Sequence, residues 1–460
     1  MLKKRIAAAV AVVGLLAASL TACSSGGSPT STANASGPIT VEFWHSMTGA
    51  VNGPTLDKII SDFNALPQNQ GKIVVKGVFQ GTYDQLMAKY KAAAQTNSTP
   101  TMAQIYDIGS RFMIDSGTIT PMQGFIDSSK WDVSDLQPNV AGYYTVDSKL
   151  YSMPFNTSVP VFYYNKDVFT KAGLDPNKPP TTLAQIMTDA KAIAAAKAAG
   201  KVTVKYPFTA AVYGWFVEQE IAANGDLYCS PDNGRSGTEP TQMTFDNKGA
   251  VQFYTWWQQM IKDGLSTNVG TDTTQAQSVF SSGASAMTLE STGALGGFLK
   301  TASFQVGVGN FPKLVDSSST GPAIGGASLW IMGNGHSTAE QNAAWSFIQY
   351  VASPAVQAEW HVATGYFPIS KSALNDPTDV SYRQKEPQLD VAVKQLENTP
   401  LTTATQGCSA GIMPQSRQAT QDALEKVLTT NADPQATLTA AAQSMTTALT
   451  QYNQTVASQG

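Results

Sequence analysis

Charge is scarce in this chain. Asp, Glu, Lys and Arg make up 13% of its 460 residues, against about 25% in an average soluble protein. The net charge is −4 and no Lys/Arg-rich run occurs, which argues against a nucleic-acid-binding surface. Histidine is scarcer still, with only His45, His336 and His361. None lies in H-E-x-x-H, and no cysteine pair has zinc-ligand spacing, so any metalloenzyme or Ser-His-Asp hydrolase chemistry would have to rest on one of those three rings. His45, beside Trp44 and Ser46 at a strand end, is expected to be structural or orienting. Neither Gly71-Lys72 nor Gly200-Lys201 is followed by Ser or Thr, so there is no P-loop. G-x-S-x-G and S-x-x-K are also missing. The expectation is a protein that is not an enzyme and carries no metal or cofactor. Paired carboxylates for glycoside hydrolysis leave no sequence signature, so a hydrolase stays open as an alternative.

Long apolar runs are missing too, apart from Ile6–Leu20. That stretch follows Lys3, Lys4 and Arg5 and is shorter than the roughly 20 residues a membrane span requires. Its length and its basic flank are those of a signal sequence. Leu20-Thr21-Ala22-Cys23 then resembles the lipobox of bacterial lipoproteins, in which the Cys becomes lipidated and N-terminal after cleavage. Residues 1–22 are therefore expected to be a lipoprotein signal peptide. Residues 23–38, SSGGSPTSTANASGP after Cys23, are expected to be a flexible tether with a reach of roughly 20 Å. That would anchor the protein to the outer side of the cell membrane. The other reading is an ordinary secretory signal. Three cysteines occur in all. With Cys23 lipidated, Cys229 and Cys408 either pair as a disulfide in an oxidising compartment or remain two free thiols.

What is present suits a packed body. Hydrophobic residues make up 42% and aromatics 9%, and the length suggests two or three domains. Ile39–Trp44 alternates like a strand. Pro54 opens a helical pattern with Leu56, Ile59, Ile60, Phe63 and Leu66 on one face. Ile73–Phe79 reads as a strand, Tyr83–Ala94 as a helix and Thr101–Ile108 as a strand. Helices follow at 183–199 and 248–262, with strands near 202–209, 286–290, 305–311 and 328–332. From Thr338 onward the chain reads as helical, ending in a helix over about 434–456. Strands alternating with helices imply an α/β fold with parallel sheets covered on both faces. Such sheets bind ligands beyond the carboxyl ends of their strands.

Several stretches carry a resemblance over most of residues 39–430. They include Phe43-Trp44-His45-Ser46-Met47, Gly81-Thr82-Tyr83, Tyr106-Asp107-Ile108-Gly109, Pro154-Phe155-Asn156-Thr157-Ser158 and the run from Val161 to Pro176. With them belong Ile324–Trp330, Glu359-Trp360-His361, Thr364–Ile369 and Met413–Arg417. The ordered set resembles the extracellular solute-binding proteins of ABC importers, in particular those for sn-glycerol-3-phosphate and glycerophosphodiesters.

The resemblance implies a periplasmic-binding-protein-like fold of two lobes, with a hinge and an interlobe cleft that closes on ligand. Residues 39–156 and 292–343 would form the N-terminal lobe, and 157–291 and 344–460 the C-terminal lobe. It implies a ligand site of Tyr83, Asp107, Ser158, Trp215, Ser291, Gly326, Tyr366 and Arg417. The residue chemistry suits that assignment. Arg417 offers a bidentate fork for phosphate. Tyr83, Tyr366, Ser158 and Ser291 offer hydroxyls, and Gly326 an approachable backbone N–H. Asp107 can accept from two glycerol hydroxyls, and Trp215 supplies an apolar wall that also suits a choline cation. Some relatives carry Glu at the position of Asp107. Where members built for glycerol-3-phosphate have a second Trp, this chain has Val212, which would widen the pocket and favour a diester such as glycerophosphocholine. The implied partners are the membrane permease subunits of the importer, and a monomer is expected. An oligosaccharide-binding protein is the nearest alternative, and an adhesin or scaffold a more distant one.

Overall fold

Two large β-sheets organise the described residues, each assembled from stretches that lie far apart in sequence. The computed structural model describes residues 37–314 and 320–458, so the signal segment and Cys23 lie outside the described residues. Ile39–His45 alternates, with Val41, Phe43 and His45 turned inward. It pairs in parallel with Ile73–Phe79, Ile39 opposite Ile73 and His45 opposite Phe79, and on its other side with Met102–Tyr106. Met102–Tyr106 is buried at every position. Gly325–Met332 then lies antiparallel to it, and Ile119–Thr120 and Met153–Ser158 pair antiparallel with Gly325–Met332. In the second sheet Val306–Asn310 and Ser285–Ser291 flank Pro160–Asn165, both antiparallel to it. Tyr206–Phe208 adds in parallel beyond Ser285–Ser291.

Two sequence expectations change here. The sheets are mixed rather than mostly parallel, because strands that cross between the sheets return antiparallel to their neighbours. Val306–Asn310, expected with the first lobe, is hydrogen-bonded to Pro160–Asn165 in the second sheet. The α/β alternation itself holds, and the chain is helical after Ser337 as expected, from Thr338–Val351 to Pro434–Ala457. No described helix is long and apolar enough to cross a membrane.

Local chemistry fixes the helix ends. Thr82 and Gln85 form a reciprocal capping box at the start of Tyr83–Gln95, as do Ser337 and Glu340 for Thr338–Val351. Pro354 opens Pro354–Thr364, and Gly365, left-handed at φ 84°, closes it. Around the first sheet, Leu56, Ile59, Phe63, Phe347 and Ile348 pack into one core. Helices Leu183–Ala198, Gly214–Ala223, Lys248–Lys262, Met413–Thr430 and Pro434–Ala457 contribute to another core around Phe208 and Trp257. Each such large side chain removed from water stabilises the fold by about 1.5–3 kcal/mol.

The segments that run between the sheets meet at one place. Ser158 ends a strand of the first sheet and Pro160 begins one of the second. The Val159 carbonyl accepts from the Thr292 N–H at 3.0 Å, just past the Ser285–Ser291 strand. Thr157 forms a β-bridge with Phe367. Ser158, Ser291, Gly326 and Tyr366 are drawn together by these crossings.

Candidate functional site

Tyr83 is the first residue of its helix, and its ring stacks on Tyr106 with centroids 5.6 Å apart. Its hydroxyl accepts from the Asn156 side-chain amide at 2.7 Å. The Asn156 carbonyl oxygen accepts from Gln104 at 2.7 Å, and the Gln104 oxygen accepts from the Ser46 N–H at 2.8 Å. This buried chain of amides holds Tyr83 in place. Neither Asn156 nor Gln104 was singled out from sequence. Polar residues inside a strand buried at every position, as in Met102–Tyr106 and Met153–Ser158, are the signal that points to them, because a buried amide must be hydrogen-bonded.

Tyr366 completes this side. Its ring stacks on Trp360 at 5.7 Å, and its hydroxyl interacts with both Tyr83 and Asn156. Burial pushes the phenols of Tyr83 and Tyr366 up, so both remain neutral donors. Gly293 is required beneath Tyr366, since a Cβ there would lie 2.4 Å from the ring. Gly326 is required as well. It sits at φ +93°, and a Cβ would come within 1.9 Å of the Asn156 carbonyl. Ser158 is buried and lies opposite Gly325 in register across the sheet, with Thr157 opposite Gly326. Ser291 ends its strand and its hydroxyl accepts from the Gly293 N–H at 3.1 Å.

Trp215 opens the buried helix Gly214–Ala223. A Cβ on Gly325 would fall 2.6 Å from its indole, so ring and backbone are in close contact. Its indole N–H is buried and has no hydrogen-bond partner among the described residues. Trp215 therefore brings a free donor as well as the apolar wall expected of it. Val212, three residues earlier, is fully buried in the same core, and its backbone N–H donates to the Gly270 carbonyl at 2.9 Å.

The centre of the site is a guanidinium between two carboxylates. Arg417 lies near the start of Met413–Thr430 and is 5% exposed. Its Nη1 and Nη2 donate to Asp107 at 3.2 and 3.0 Å. Its Nε and Nη2 donate to Glu218 at 2.6 and 2.7 Å. The rings of Tyr106 and Tyr213 each lie 5.8 Å from the guanidinium carbon. Burial alone would disfavour the Arg417 charge, but the two carboxylates outweigh it and hold the group protonated. Burial pushes the Glu218 carboxyl up to about 7, against the pull of Arg417.

Asp107 and Arg417, expected at different parts of the ligand, are thus bound to each other. Glu218 was not anticipated. It stands in GWFVEQEIAA, where Glu218, Gln219 and Glu220 interrupt an otherwise apolar helix, and acids in such a helix are largely buried; Glu218 finds Arg417, whereas the fully buried Glu220 carboxylate has no hydrogen-bond partner among the described residues.

The surrounding space is small. A cavity of about 20 Å³ is lined in part by Tyr143, Glu218, Tyr228 and Met413. Another of about 10 Å³ is lined in part by Asp107, Tyr143, Arg235 and Trp330. Each has room for about one water, whereas small-molecule sites enclose about 300–1,000 Å³. Neither cavity leaves ligand-sized space beside the Arg417–Asp107 pair.

The approach to the Arg417 helix is pinned. Cys229 and Cys408 form a disulfide with Cα atoms 5.7 Å apart. Asn233 accepts from the Tyr228 and Cys229 N–H groups and donates to the Thr403 carbonyl. His361 is buried against Asp379, which also binds Arg383, and Arg383 in turn binds Asp390. Among the described residues no group of three His, Cys, Asp or Glu is placed to hold a metal.

Residues 58–389 match the family described as bacterial extracellular solute-binding protein. The chain is 36% identical over 418 residues to the sn-glycerol-3-phosphate-binding periplasmic protein UgpB of Yersinia pestis, covering 89% of this chain and 92% of that one. It is 35% identical over 414 residues to UgpB of Escherichia coli O1:K1, covering 88% and 91%. Its structure resembles that of UgpB from Mycobacterium tuberculosis in complex with glycerophosphocholine, at TM-score 0.77 and 22% identity over 91% of this chain and 99% of that one. It also resembles maltose-bound MalE3 of T. maritima, at TM-score 0.73 and 18% identity over 89% and 100%.

The fold is that of the two-lobe periplasmic solute-binding proteins, a mixed α/β architecture with a helical C-terminal region. The chain belongs to the bacterial extracellular solute-binding protein family, whose members serve ABC importers.

Proposed function

We propose that this protein captures a glycerophosphodiester, with glycerophosphocholine favoured over sn-glycerol-3-phosphate, in the cleft between its lobes and hands it to the membrane permease. Binding rather than catalysis is its task. The observation that carries the reading is a run of contacts that joins these groups: Tyr83 stacks on Tyr106, whose ring lies 5.8 Å from the Arg417 guanidinium; the guanidinium binds Asp107, and Tyr213 links it to Trp215, whose indole N–H is unpartnered among the described residues. These are the groups a phosphate next to a diol requires. The UgpB relatives support the ligand class. The likeness to MalE3 bears on the fold alone.

Within this reading Tyr83, Asp107, Ser158, Trp215, Ser291, Gly326, Tyr366 and Arg417 contact the ligand, and Val212 leaves room for a headgroup. The lobes divide along the two sheets, Cys23 carries the lipid anchor on the outer side of the membrane, and the protein acts as a monomer. The test is calorimetric titration of residues 24–460 with glycerophosphocholine, sn-glycerol-3-phosphate and maltose. Saturable binding of the diester, lost in Arg417→Ala, is expected, and Val212→Trp should shift preference toward the monoester. Binding of maltose alone would overturn the ligand assignment. An unchanged preference in Val212→Trp would remove the pocket-width argument.

A further inference from the structure

Glu218 has no part in the ligand contacts assigned above, yet it holds Arg417 more closely than Asp107 does. Four of the five guanidinium N–H groups are engaged, two by each carboxylate. One carboxylate would neutralise Arg417; the second, Glu218, is lifted by burial to about 7, so the cluster gains its net negative charge as pH rises above that value.

The two acids are mounted differently. Asp107 begins the turn after Met102–Tyr106, in the first sheet. Glu218 and Arg417 stand on helices Gly214–Ala223 and Met413–Thr430, which touch so closely that a Cβ on Gly214 would lie 2.3 Å from the Arg417 carbonyl. Tyr254, on a third helix of that core, donates to the Thr420 carbonyl and fastens the Arg417 helix further. When Asp107 withdraws to admit a ligand, Glu218 stays with Arg417. The arriving phosphate meets a guanidinium that is already paired.

We propose that Glu218 is a specificity-determining residue that selects ligand by charge, admitting a phosphodiester whose negative charge is balanced by a cationic headgroup and disfavouring the dianionic monoester. This deepens the glycerophosphodiester reading and rests on it. The physical basis is short-range repulsion in a site largely removed from water, where each additional negative charge on the ligand counts strongly. The Tyr106 and Tyr213 rings already face the guanidinium, and Trp215, its ring 6.4 Å from that of Tyr213, offers the aromatic face that suits a quaternary ammonium.

The test measures Kd for glycerophosphocholine and sn-glycerol-3-phosphate in the wild-type protein, Glu218→Gln and Glu218→Asp, with thermal melting to check folding. Glu218→Gln is expected to shift the affinity ratio toward sn-glycerol-3-phosphate by tenfold or more, and Glu218→Asp, which keeps the charge, to hold the ratio within threefold of wild type. A Glu218→Gln variant that weakens both ligands equally would overturn the proposal and reduce Glu218 to a positioning residue for Arg417. Wild-type protein that binds neither compound would overturn the ligand reading itself, and this proposal with it.

Discussion

Replacing Arg417 by Met tests the electrostatic account of the site directly. The substitution keeps much of the side-chain volume and removes the charge shared by Asp107 and Glu218. Both acids are largely buried, with side chains 3% and 12% exposed. Removing one partner of a buried ion pair costs about 3–5 kcal/mol, because the remaining charge is uncompensated. Unfolding entropy of about 2.1 cal/mol/K per residue over the roughly 420 residues from Pro38 turns that loss into a Tm decrease of roughly 3–6 °C.

The deficit depends on pH. Burial already lifts Glu218 to about 7 while Arg417 pulls it down. Without the guanidinium its folded pKa rises further, and its unfolded value is about 4.3. The folded variant then holds a proton that the unfolded chain releases, so stability falls as pH rises through that window. Thermal melts of wild type and variant at pH 5 and pH 8 should differ least at pH 5 and most at pH 8. The triple variant D107N/E218Q/R417M should recover most of the lost stability and none of the ligand affinity. Equal deficits at both pH values, or no deficit at all, would refute a buried guanidinium that neutralises two acids.

Three further outcomes follow from the same structure. Gly214→Ala forces apart the helices that carry Glu218 and Arg417; overpacking of this kind costs about 1–3 kcal/mol, and both Tm and diester affinity should fall. The double variant C229S/C408S opens a loop of 179 residues, and chain-entropy arguments give a loss of about 5 kcal/mol, to be read from denaturant curves against the wild type. Burial raises Glu290 to about 7 against the hydrogen bond it accepts from the Ser291 N–H, so it stabilises the fold below its unfolded pKa and that contribution is lost as pH rises toward 7. Glu290→Gln should flatten the Tm profile between about pH 4.5 and 7, and an unchanged slope would count against the assignment.

Much of the backbone was legible from local chemistry. Ile73–Phe79, Lys248–Lys262 and the last helix fall where alternation or helical periodicity put them. The hardest strands to see were Met153–Ser158 and Pro160–Asn165. Both are buried at every position, so they show no alternation, and only Val159 separates them. Sheet membership was also hidden. Val306–Asn310 looks like any short apolar strand, and its place beside Pro160–Asn165 depends on the return path of the chain rather than on its own residues.

Of the candidate site, the sequence shows residues that the fold brings near one another, but not the circuit they form. Tyr83, Tyr366 and Gly326 meet around Asn156 because three crossing segments are drawn together, and each bears a recognisable motif. What motif reading assigns one residue at a time is a role toward a ligand; what it cannot supply is the partner each residue takes when side chains face one another. Arg417 illustrates the difference. A guanidinium buried to 5% exposure must have counter-charges, and the only question is which. Asp107 is one, across the crossing between the sheets; Glu218 is the other, one helical turn past Trp215 and outside the stretches that carry the resemblance. The closed pairing therefore places a threshold on capture. An anion must break two Asp107 contacts of 3.0–3.2 Å before it gains Arg417, while the shorter Glu218 contacts persist. A ligand that also offers diol hydroxyls to the released Asp107 replaces what it removes, and one that offers phosphate alone does not. On the proposed function, selectivity for a glycerol-bearing phosphate over inorganic phosphate follows from that exchange, and inorganic phosphate should compete with glycerophosphocholine at least a hundredfold more weakly than the diester binds, the roughly 3 kcal/mol at stake being two charge-assisted hydrogen bonds.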